Sequence, residues 1–365
     1  MIVWRAGVVD RILGSWPGAL ELLVVTDEGV VRALAYVDAV GLPVVGDRVL
    51  LNTTAVSQGL GTGGYAMVVA IPDRLPDDPE LPGHLVKARY TPLQVSVQGA
   101  DEQGSPWHDV LRDAEDLDGM PVVVADLHSA LPAVLAGLLA DRPRTRAAYV
   151  CTDGAALPLA FSRTVAGLRD AGWLAGTVTT GQAYGGDVEA VTVHTGLLAA
   201  HHVLEADVAV VTQGPGNLGT GTRYGFSGVA TGEAINAAGV LGGRPVASLR
   251  ISGADDRARH RGISHHSLTA YGRVALAPAE VVVPVYAGDL AELNALVSDQ
   301  AAELASRHRL VEVAVHGLYE ALRTSPVPLS TMGRGLAEDP AAFLAAAAAG
   351  RHTATLLPPL RGSLA

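Results

Sequence analysis

The chain has 365 residues, of which 49% are hydrophobic, and a formal net charge of −11. Its length and apolar content suffice for two domains with large cores, and no apolar run approaches the roughly 18 residues that span a bilayer. The acidic balance argues against nucleic-acid binding, which normally uses a basic face. The lone cysteine, Cys151, excludes an internal disulfide. With no signal-peptide pattern, these features predict a cytoplasmic protein that binds neither membranes nor nucleic acids.

The stretch 1–71 reads as a series of short strands separated by turns. Strands are predicted at residues 2–9, 22–26, 30–36, 47–52 and 66–71. Five such strands predict a small β-barrel of the SH3-like or OB-like kind. Few basic and aromatic residues occur here, which disfavours oligonucleotide binding and favours a role in packing or dimerisation.

The stretch 72–83 is rich in proline and acidic residues, which predicts an extended linker. From 84 to 289, apolar strands alternate with helical segments. The strands are predicted at 93–97, 121–125, 147–151, 175–180, 207–212, 245–251 and 281–285, and the helices at 130–140, 161–171, 188–204 and 229–241. This alternation predicts an α/β ligand-binding domain, with a mostly parallel, doubly wound sheet and helices on both faces.

The remainder of the chain has helical character. Residues 290–322 show helical periodicity, and residues 340–350 are alanine-rich, begin with proline and end with glycine. The stretch 290–357 is therefore predicted to form helices packed on the α/β core, followed by a frayed tail at 358–365. A homodimer is the expected assembly.

Five predicted strands are each followed by a polar or glycine-rich loop, at residues 126–129, 152–155, 181–187, 214–222 and 252–262. In an open parallel sheet the carboxyl ends of the strands lie at one edge, and ligands bind there. The five loops are therefore predicted to meet at one rim. Candidate ligand-binding side chains in the first and third loops are His128, Ser129, Gln182 and Asp187, although Asp187 can also serve as a helix cap.

The loop after the strand at 207–212 is the densest in glycine. Its candidate ligand contacts are Gly214, Gly216, Asn217, Gly219, Thr220, Gly221 and Thr222. Glycines tolerate positive φ and let amides approach a ligand, which predicts an amide nest for an anion. Gly214 to Gly219 also fits the dinucleotide fingerprint, but no helix is predicted to begin inside it, and Thr220 stands where a P-loop needs lysine. A flexible surface loop is the alternative.

The next loop is rich in arginine. Arg250, Arg257 and Arg259 are candidates for binding a phosphate or carboxylate, because a guanidinium binds such groups bidentately. Pairing of these arginines with Asp255 and Asp256 is the structural alternative.

Several further side chains are candidates for proton transfer or nucleophilic attack. His265 and His266 are each a possible general acid or base, but neighbours on a helix point in different directions and are not expected to share one metal. Asp153 follows a strand, as a base, nucleophile or Mg²⁺ ligand would, although aspartate before glycine is also a common turn residue. Ser162 and Cys151 are disfavoured as nucleophiles, because no partner base is identifiable from spacing.

Lys87 is the only lysine, beside 25 arginines. Lysine is a compact charge whose pKa can be lowered by its surroundings, whereas arginine stays charged. Lys87 is therefore a candidate catalytic or anion-binding group. Chance retention on a solvated surface is the alternative.

Five stretches carry a resemblance to a known family: GHLVKARYTPLQ at 83–94, TDGAALPLAFS at 152–162, GQAYGGDVEA at 181–190, GPGNLGTGT at 214–222 and RHRGISHHSLT at 259–269. On these motifs the chain resembles an uncharacterised bacterial family classed as a domain of unknown function, over nearly its whole length. The resemblance implies that these stretches, Lys87 included, belong to one family pattern. It implies no activity, cofactor or catalytic residue.

Together the residues predict an enzyme of unknown specificity that acts on a small anionic metabolite, phosphorylated or nucleotide-like, as a hydrolase or phosphotransferase. The glycine-rich loop and the arginines would bind the anion, and Asp153 with one histidine would handle protons or a divalent cation such as Mg²⁺. The alternative is a non-catalytic nucleotide- or metabolite-binding sensor or assembly protein. A third hypothesis, an NAD(P)-linked oxidoreductase, requires a helix that begins near Gly216.

Overall fold

The computed structural model describes residues 1–60 and 63–359, so the predicted tail lies outside the described residues from residue 360 onward. The strands are β1 (Trp4–Trp16), β2 (Ala19–Thr26), β3 (Gly29–Tyr36), β4 (Arg48–Asn52), β5 (Ala66–Ala70), β6 (Leu85–Lys87), β7 (Val95–Val97), β8 (Pro121–Val124), β9 (Ala147–Thr152), β10 (Gly176–Thr179), β11 (Val188–Glu189), β12 (Val208–Gln213), β13 (Arg244–Ser248), β14 (Ile251–Ser252), β15 (Gly262–Ile263), β16 (Glu280–Val285), β17 (Arg309–Ala314), β18 (Ser330–Thr331) and β19 (Arg334–Gly335). The helices are α1 (Val37–Val40), α2 (Thr54–Ser57), α3 (His108–Leu111), α4 (Leu131–Asp141), α5 (Arg163–Asp170), α6 (Val193–His202), α7 (Thr231–Val240), α8 (His265–Thr269), α9 (Leu293–Ala301), α10 (Leu318–Arg323) and α11 (Pro340–Leu356). Within the described ranges, the helices are too short or too polar to cross a membrane.

Strands β1 to β5 form a closed barrel in the order β1-β2-β3-β5-β4. Neighbouring strands are antiparallel except β3 and β5, which are parallel. Alternate residues point inward, so that Leu22 and Val24 of β2 and Val49 and Leu51 of β4 are fully buried. The predicted N-terminal β-barrel is confirmed.

The barrel packs on the connection between β9 and α5. The indole Nε1 of Trp16 donates to the Ala160 carbonyl at 2.7 Å. Phe161 meets Tyr65 edge-on, with ring centroids 6.5 Å apart. Because both contacts join the barrel to a loop that follows a sheet strand, the barrel sits close to that strand's carboxyl end.

The centre of the protein is an eight-stranded sheet in the order β11-β10-β9-β12-β8-β13-β16-β17. Every neighbouring pair is parallel. Strands β8, β9 and β12 are almost uninterrupted apolar runs, as expected when both faces of a sheet are covered. Helices α7 and α11 both contact β8 and β13, from opposite faces. The predicted α/β fold is confirmed.

Three predicted elements are wrong. The strand expected at 93–97 is β7, which pairs with β6 in a separate hairpin and not in the main sheet. The helix expected at 188–204 begins at Val193, because residues 188–189 form β11. The helical periodicity of 290–322 is interrupted by β17, the edge strand of the sheet. A short apolar run between two helices cannot be assigned by periodicity alone.

The strand order brings several loop-bearing strand ends together. The chain enters the sheet near its middle at β8, builds outward to β11, returns to β12 and continues from β13 to the other edge. Ligands bind at such a reversal of strand order. Asp126 follows β8, Gln213 ends β12 and Arg250 follows β13, and Gln213 Nε2 donates to the Asp126 carbonyl at 2.9 Å. These three residues therefore mark the predicted rim.

Candidate functional site

Three ionisable side chains, Asp126, Arg250 and His266, form what we call the Asp126 cluster. Arg250 Nη1 and His266 Nδ1 lie 3.0 Å apart. Each of these nitrogens lies 3.6 Å from Asp126 Oδ2. The side chain of Asp126 is 4% exposed and that of Arg250 is 12% exposed. The cluster therefore occupies a space that water hardly reaches.

Asp126 has a carboxylate oxygen without a donor. Its Oδ2 is buried, and no residue that the structure describes donates a hydrogen bond to it. Buried carboxylate oxygens normally accept at least one such bond, and 3.6 Å is too long for one. Oδ2 is thus an acceptor that a ligand, or a small shift of Arg250 or His266, can satisfy.

Arg250 differs from Arg257 in having unused donors although its side chain is mostly buried. Its Nη1 contacts His266, whereas its Nε and Nη2 make no hydrogen bond within the described part of the chain. By contrast, Arg257 donates to both oxygens of Asp255, at 2.9 and 2.8 Å, and holds the pKa of that carboxyl well below its usual range. Arg257 therefore has the structural role considered as the alternative. Arg259 is exposed and without a described carboxylate partner.

The Asp126 cluster borders a small pocket between the ends of β8 and β13 and the start of α11. Its volume is about 40 Å³, and Ser129, Arg334 and Asp339 form part of its wall. Ser129 donates to Thr331 Oγ1 at 3.1 Å. A space of this size admits water or one small group rather than a whole metabolite. The body of any metabolite bound here would lie outside the pocket.

A larger cleft, of about 1150 Å³, lies between the barrel, the linker, the β6-β7 hairpin and α5. Trp16, Tyr36 and Arg163 are among its walls, and no member of the Asp126 cluster lines it. Its buried ionisable group, Glu189, is already paired with Lys87. We place the candidate site at the Asp126 cluster because Asp126 Oδ2 is buried without a hydrogen-bond partner among the described residues, whereas Glu189 in the cleft is paired.

Three imidazoles, those of His260, His265 and His266, gather beside Arg250 and form what we call the histidine cluster. The ring centroid of His260 lies 5.0 Å from that of His265 and 5.1 Å from that of His266. The ring centroids of His265 and His266 are 4.4 Å apart. One ring nitrogen of each lies within 4.8 Å of the others. The rings of His265 and His266 do not point in different directions as expected, because at the first turn of α8 both lean towards His260.

Local structure holds His260 against α8. Strands β14 and β15 pair, so the loop between them returns the chain to the start of the helix. Ser264, the N-cap of α8, accepts a hydrogen bond from the His266 amide, and its Oγ lies 2.8 Å from His260 Nδ1. Gly262 has a φ of +67°, and a Cβ there would overlap the Gln300 side chain. Glycine is therefore required where the chain turns back.

Two members of the histidine cluster, His260 and His265, are kept neutral by their surroundings. Burial and the positive charge of Arg250 lower the pKa of His260 to about 3. Burial, and then the neighbouring His266, lower the pKa of His265. Phe226 stacks on His266 with ring centroids 3.8 Å apart. Near pH 7 His260 and His265 therefore present lone pairs, which can accept a proton or bind a metal.

The glycine-rich loop folds back as a hairpin instead of forming an open amide nest. Thr220 N donates to the Gly225 carbonyl at 2.7 Å, and Leu218 N donates to Ser227 Oγ at 3.1 Å. One of the amides expected to bind an anion, that of Thr220, is thereby used within the loop. In this respect the structure differs from the predicted nest.

The predicted contacts in this loop differ in their exposure. Gly214 is buried against the Ala156 carbonyl, and Asn217 is half-buried and bonded to Ser227, while Gly216, Gly219, Thr220, Gly221 and Thr222 are exposed. Gly216 and Gly221 need glycine for their φ values of +96° and +78°. The next helix, α7, begins only at Thr231, so the helix near Gly216 that an NAD(P)-linked oxidoreductase requires is not formed.

Lys87 is buried, and its contacts favour a structural role over the predicted catalytic or anion-binding one. Its side chain is 0% exposed. Its Nζ donates to the carbonyls of Thr179 and Ala183, at 2.9 and 2.7 Å, and to Glu189 Oε2 at 2.7 Å. All three ammonium hydrogens are thereby used. Burial lowers the pKa of Lys87 and Glu189 opposes that effect. A compact ammonium fits this enclosure, whereas a planar guanidinium would not.

The predicted ligand contacts at Asp153, Gln182 and Asp187 are used within the protein. Each of these side chains accepts a hydrogen bond from a backbone amide of a neighbouring segment. Asp153 is exposed, and its Oδ2 accepts a hydrogen bond from the Gln182 amide at 2.9 Å. Gln182 Oε1 accepts one from the Arg89 amide at 3.0 Å. Asp187 Oδ2 accepts from the amide and hydroxyl of Thr177, so it does not cap the predicted helix. None of the three contacts the Asp126 cluster.

His128 is enclosed, and neither ring nitrogen is left for a ligand. Its Nε2 lies 2.7 Å from Ser162 Oγ, and its Nδ1 lies 3.1 Å from the Tyr149 hydroxyl. Burial lowers the pKa of His128 to about 4. The base that spacing could not identify for Ser162 is thus His128, but Ser162 is buried and also caps α5 by accepting from the Val165 amide. These contacts favour a structural role for His128 over the predicted ligand-binding one.

Comparison with known proteins adds a family. A family model described as "Protein of unknown function (DUF3866)" matches residues 32–350, which include every member of both clusters. No curated protein matches the chain. The chemistry therefore has to be inferred from the side chains themselves.

Proposed function

The chain belongs to the family described as protein of unknown function (DUF3866), and we propose that it is an enzyme that acts on a small anionic metabolite, phosphorylated or nucleotide-like. A hydrolase or phosphotransferase is the proposed class. The observation that carries the proposal is Arg250, a mostly buried guanidinium at the reversal of strand order whose Nε and Nη2 have no partner among the described residues. A guanidinium edge of this kind binds two oxygens of a phosphate or carboxylate.

The groups around Arg250 fit this role. Asp126 lies 3.6 Å from the guanidinium on one side and partly compensates its charge. The histidine cluster lies beside it, so a bound anion would be next to imidazoles that can activate water. Arg259, exposed in the loop that follows β14, adds positive charge at the entrance.

A ligand screen tests the proposal. The melting temperature is measured with nucleotides, sugar phosphates and inorganic pyrophosphate for the wild type, for Arg250→Gln, and for Arg261→Gln, which changes an exposed arginine of the same loop. We expect at least one phosphorylated compound to raise the melting temperature of the wild type and of Arg261→Gln, but not of Arg250→Gln.

The same screen can reject the proposal. If no phosphorylated compound stabilises the wild type, the anion site is wrong. For a compound that does stabilise the wild type, mass spectrometry of the products separates the two function classes. Conversion of the bound compound supports an enzyme, whereas binding without conversion supports the sensor alternative.

We also propose that the chain forms a cytoplasmic homodimer through its barrel. Val25 of β2 lies opposite Val8 of β1 and Val30 of β3, and all three side chains are exposed. Three apolar side chains in a row across neighbouring strands form a surface that a second copy can cover.

A further inference from the structure

The histidine cluster is the group of three potential metal ligands that the described residues bring within reach of one point. We propose that His260, His265 and His266 bind one transition-metal ion of the Zn²⁺ type through their Nε2 atoms. Three ligands leave the fourth position of a tetrahedral ion open to water or to an anionic oxygen.

The spacing of the rings fits a single ion. Two imidazoles bound tetrahedrally at Zn–N distances near 2.0–2.1 Å have ring centroids about 5 Å apart. The observed centroid separations are 5.0, 5.1 and 4.4 Å. One ring nitrogen of each histidine lies within 4.8 Å of the others. Side-chain rotations would have to bring the three ligating nitrogens to about 3.4 Å from one another.

The Nε2 atoms are the ring nitrogens that remain available. His265 Nε2 is buried and has no hydrogen-bond partner in the described part of the chain, which is unusual for a buried polar atom. His260 Nδ1 is occupied by Ser264 Oγ, and His266 Nδ1 faces Arg250. The pairing of Nδ1 leaves Nε2 of His260 and of His266 for the ion, and Nε2 of His265 is the buried nitrogen that needs a partner.

Asp126 is placed to support His266 as a ligand. With the ion on Nε2, the proton of His266 resides on Nδ1, which then donates towards Asp126 Oδ2, the unpaired oxygen 3.6 Å away. Arg250 Nη1 also lies 3.6 Å from Asp126 Oδ2. Once His266 Nδ1 carries a proton, Nη1 would donate its hydrogen bond to this carboxylate instead of to His266. A movement of about half an ångström brings both contacts to hydrogen-bond length. A carboxylate behind a ligating histidine is a common feature of metal sites.

The charges and ligand atoms favour this class of ion. Two of the three guanidiniums beside the cluster face carboxylates, Arg250 that of Asp126 and Arg257 that of Asp255, and the third, Arg259, is exposed to solvent. Imidazole nitrogen binds Zn²⁺ and neighbouring transition metals, whereas Mg²⁺ prefers oxygen. The ion would therefore differ from the Mg²⁺ expected at Asp153.

The inference deepens the proposed function, and only its chemical consequence rests on that function. An ion with an open position, close to the free donors of Arg250, would hold water or a ligand oxygen beside a bound anion. Binding of the ion itself does not require the chain to be an enzyme.

Metal titration of the full chain tests the inference. Protein stripped with a chelator is titrated with Zn²⁺ against a chromophoric chelator, and with Co²⁺ for its visible spectrum. The variants are His260→Gln and His265→Gln, and the control is His194→Gln, which changes an exposed histidine. We expect wild type and control to bind one ion per chain with the spectrum of four-coordinate Co²⁺, and each cluster variant to lose at least about tenfold in affinity.

The inference is overturned if the wild type binds less than one ion per chain, or if the cluster variants bind as tightly as the wild type. Circular dichroism without metal checks folding, and His265→Gln decides if His260→Gln does not fold, because His265 is only partly buried. If the protein binds one metal ion per chain but no phosphorylated compound in the screen, the proposed function alone is rejected. Ligand binding by a protein that cannot bind metal would reject this inference alone.

Discussion

The carboxylate of Asp126 and the guanidinium of Arg250 face each other at 3.6 Å, close enough to attract but too far apart to form a hydrogen bond. They come from adjacent strand ends, since β8 and β13 pair directly. A structural ion pair nearby, Arg257 with Asp255, closes to 2.8 Å. The looser pair leaves an acceptor and several donors unused in an almost dry space, as a binding site requires.

Arg250→Gln should weaken binding of the ligand found by the screen. Charge-assisted hydrogen bonds contribute about 1.5–3 kcal/mol, so we expect the Kd to rise about 10- to 100-fold. Isothermal titration calorimetry measures this, with Arg261→Gln as the control. Equal losses in the two variants would mean that general positive charge, and not Arg250, attracts the ligand.

Asp126→Asn should weaken metal binding without touching a ligand nitrogen. The carboxylate is expected to orient His266 through Nδ1, and loss of such support commonly costs about 10- to 100-fold in affinity. The same Zn²⁺ competition measures it, with the exposed Asp256→Asn as the control. Unchanged affinity in Asp126→Asn would remove Asp126 from the site.

Lys87→Met should destabilise the fold. It leaves Glu189 buried without its ion pair, and such a loss costs about 3–5 kcal/mol. Urea unfolding should show this drop in the free energy of unfolding for Lys87→Met. The control Arg89→Gln, which changes an exposed arginine, should show little change. The double variant Lys87→Met with Glu189→Gln should recover part of the lost stability. A Lys87→Met protein that is as stable as the wild type but cannot bind or convert ligand would restore the catalytic interpretation.

His128 should make the protein less stable in mild acid. The folded chain lowers the pKa of His128 to about 4, whereas an unfolded histidine titrates near 6.5. As the pH falls below about 6.5 the unfolded chain takes up a proton that the folded chain refuses, so stability drops by about 3 kcal/mol until the pH reaches about 4. Urea midpoints across this range should fall less steeply in His128→Gln than in the wild type and in His194→Gln. Parallel slopes in all three would contradict the assignment.

Val25→Asp should dissociate the proposed homodimer. A charge in the centre of the exposed row of Val8, Val25 and Val30 would be buried by a partner copy at a high desolvation cost. Light scattering after size exclusion should give the mass of a dimer for the wild type and of a monomer for Val25→Asp. The control Leu276→Asp, which changes an exposed apolar residue elsewhere, should remain a dimer. A monomeric wild type would reject the dimer.

Periodicity predicted the elements that have a strong pattern. The apolar runs that became β8, β9 and β12, and the alternating strands of the barrel, were identifiable because burial on one or two faces leaves a direct trace in sequence. Strand β17 left no such trace, because its six residues lie between two helical segments. The placement of the carboxyl ends of the sheet strands at one edge followed from parallel strand order.

The side chains of the site were less predictable. Lys87 was a candidate because it is the only lysine in the sequence. Only the fold shows that its three ammonium hydrogens are donated to Thr179, Ala183 and Glu189. His260 and Asp126 lay in loops already singled out, yet nothing in their spacing reveals that both approach His266. The nearest sequence signal was the crowding of three histidines within seven residues.

The most direct test of the account is an anomalous difference map from crystals grown with tungstate, a strongly scattering analogue of phosphate. The account predicts a tungsten peak within hydrogen-bond distance of Arg250 Nε or Nη2, at the carboxyl ends of β8 and β13. Tungstate bound only at other positions, or absent at a concentration that stabilises the protein in solution, would contradict it.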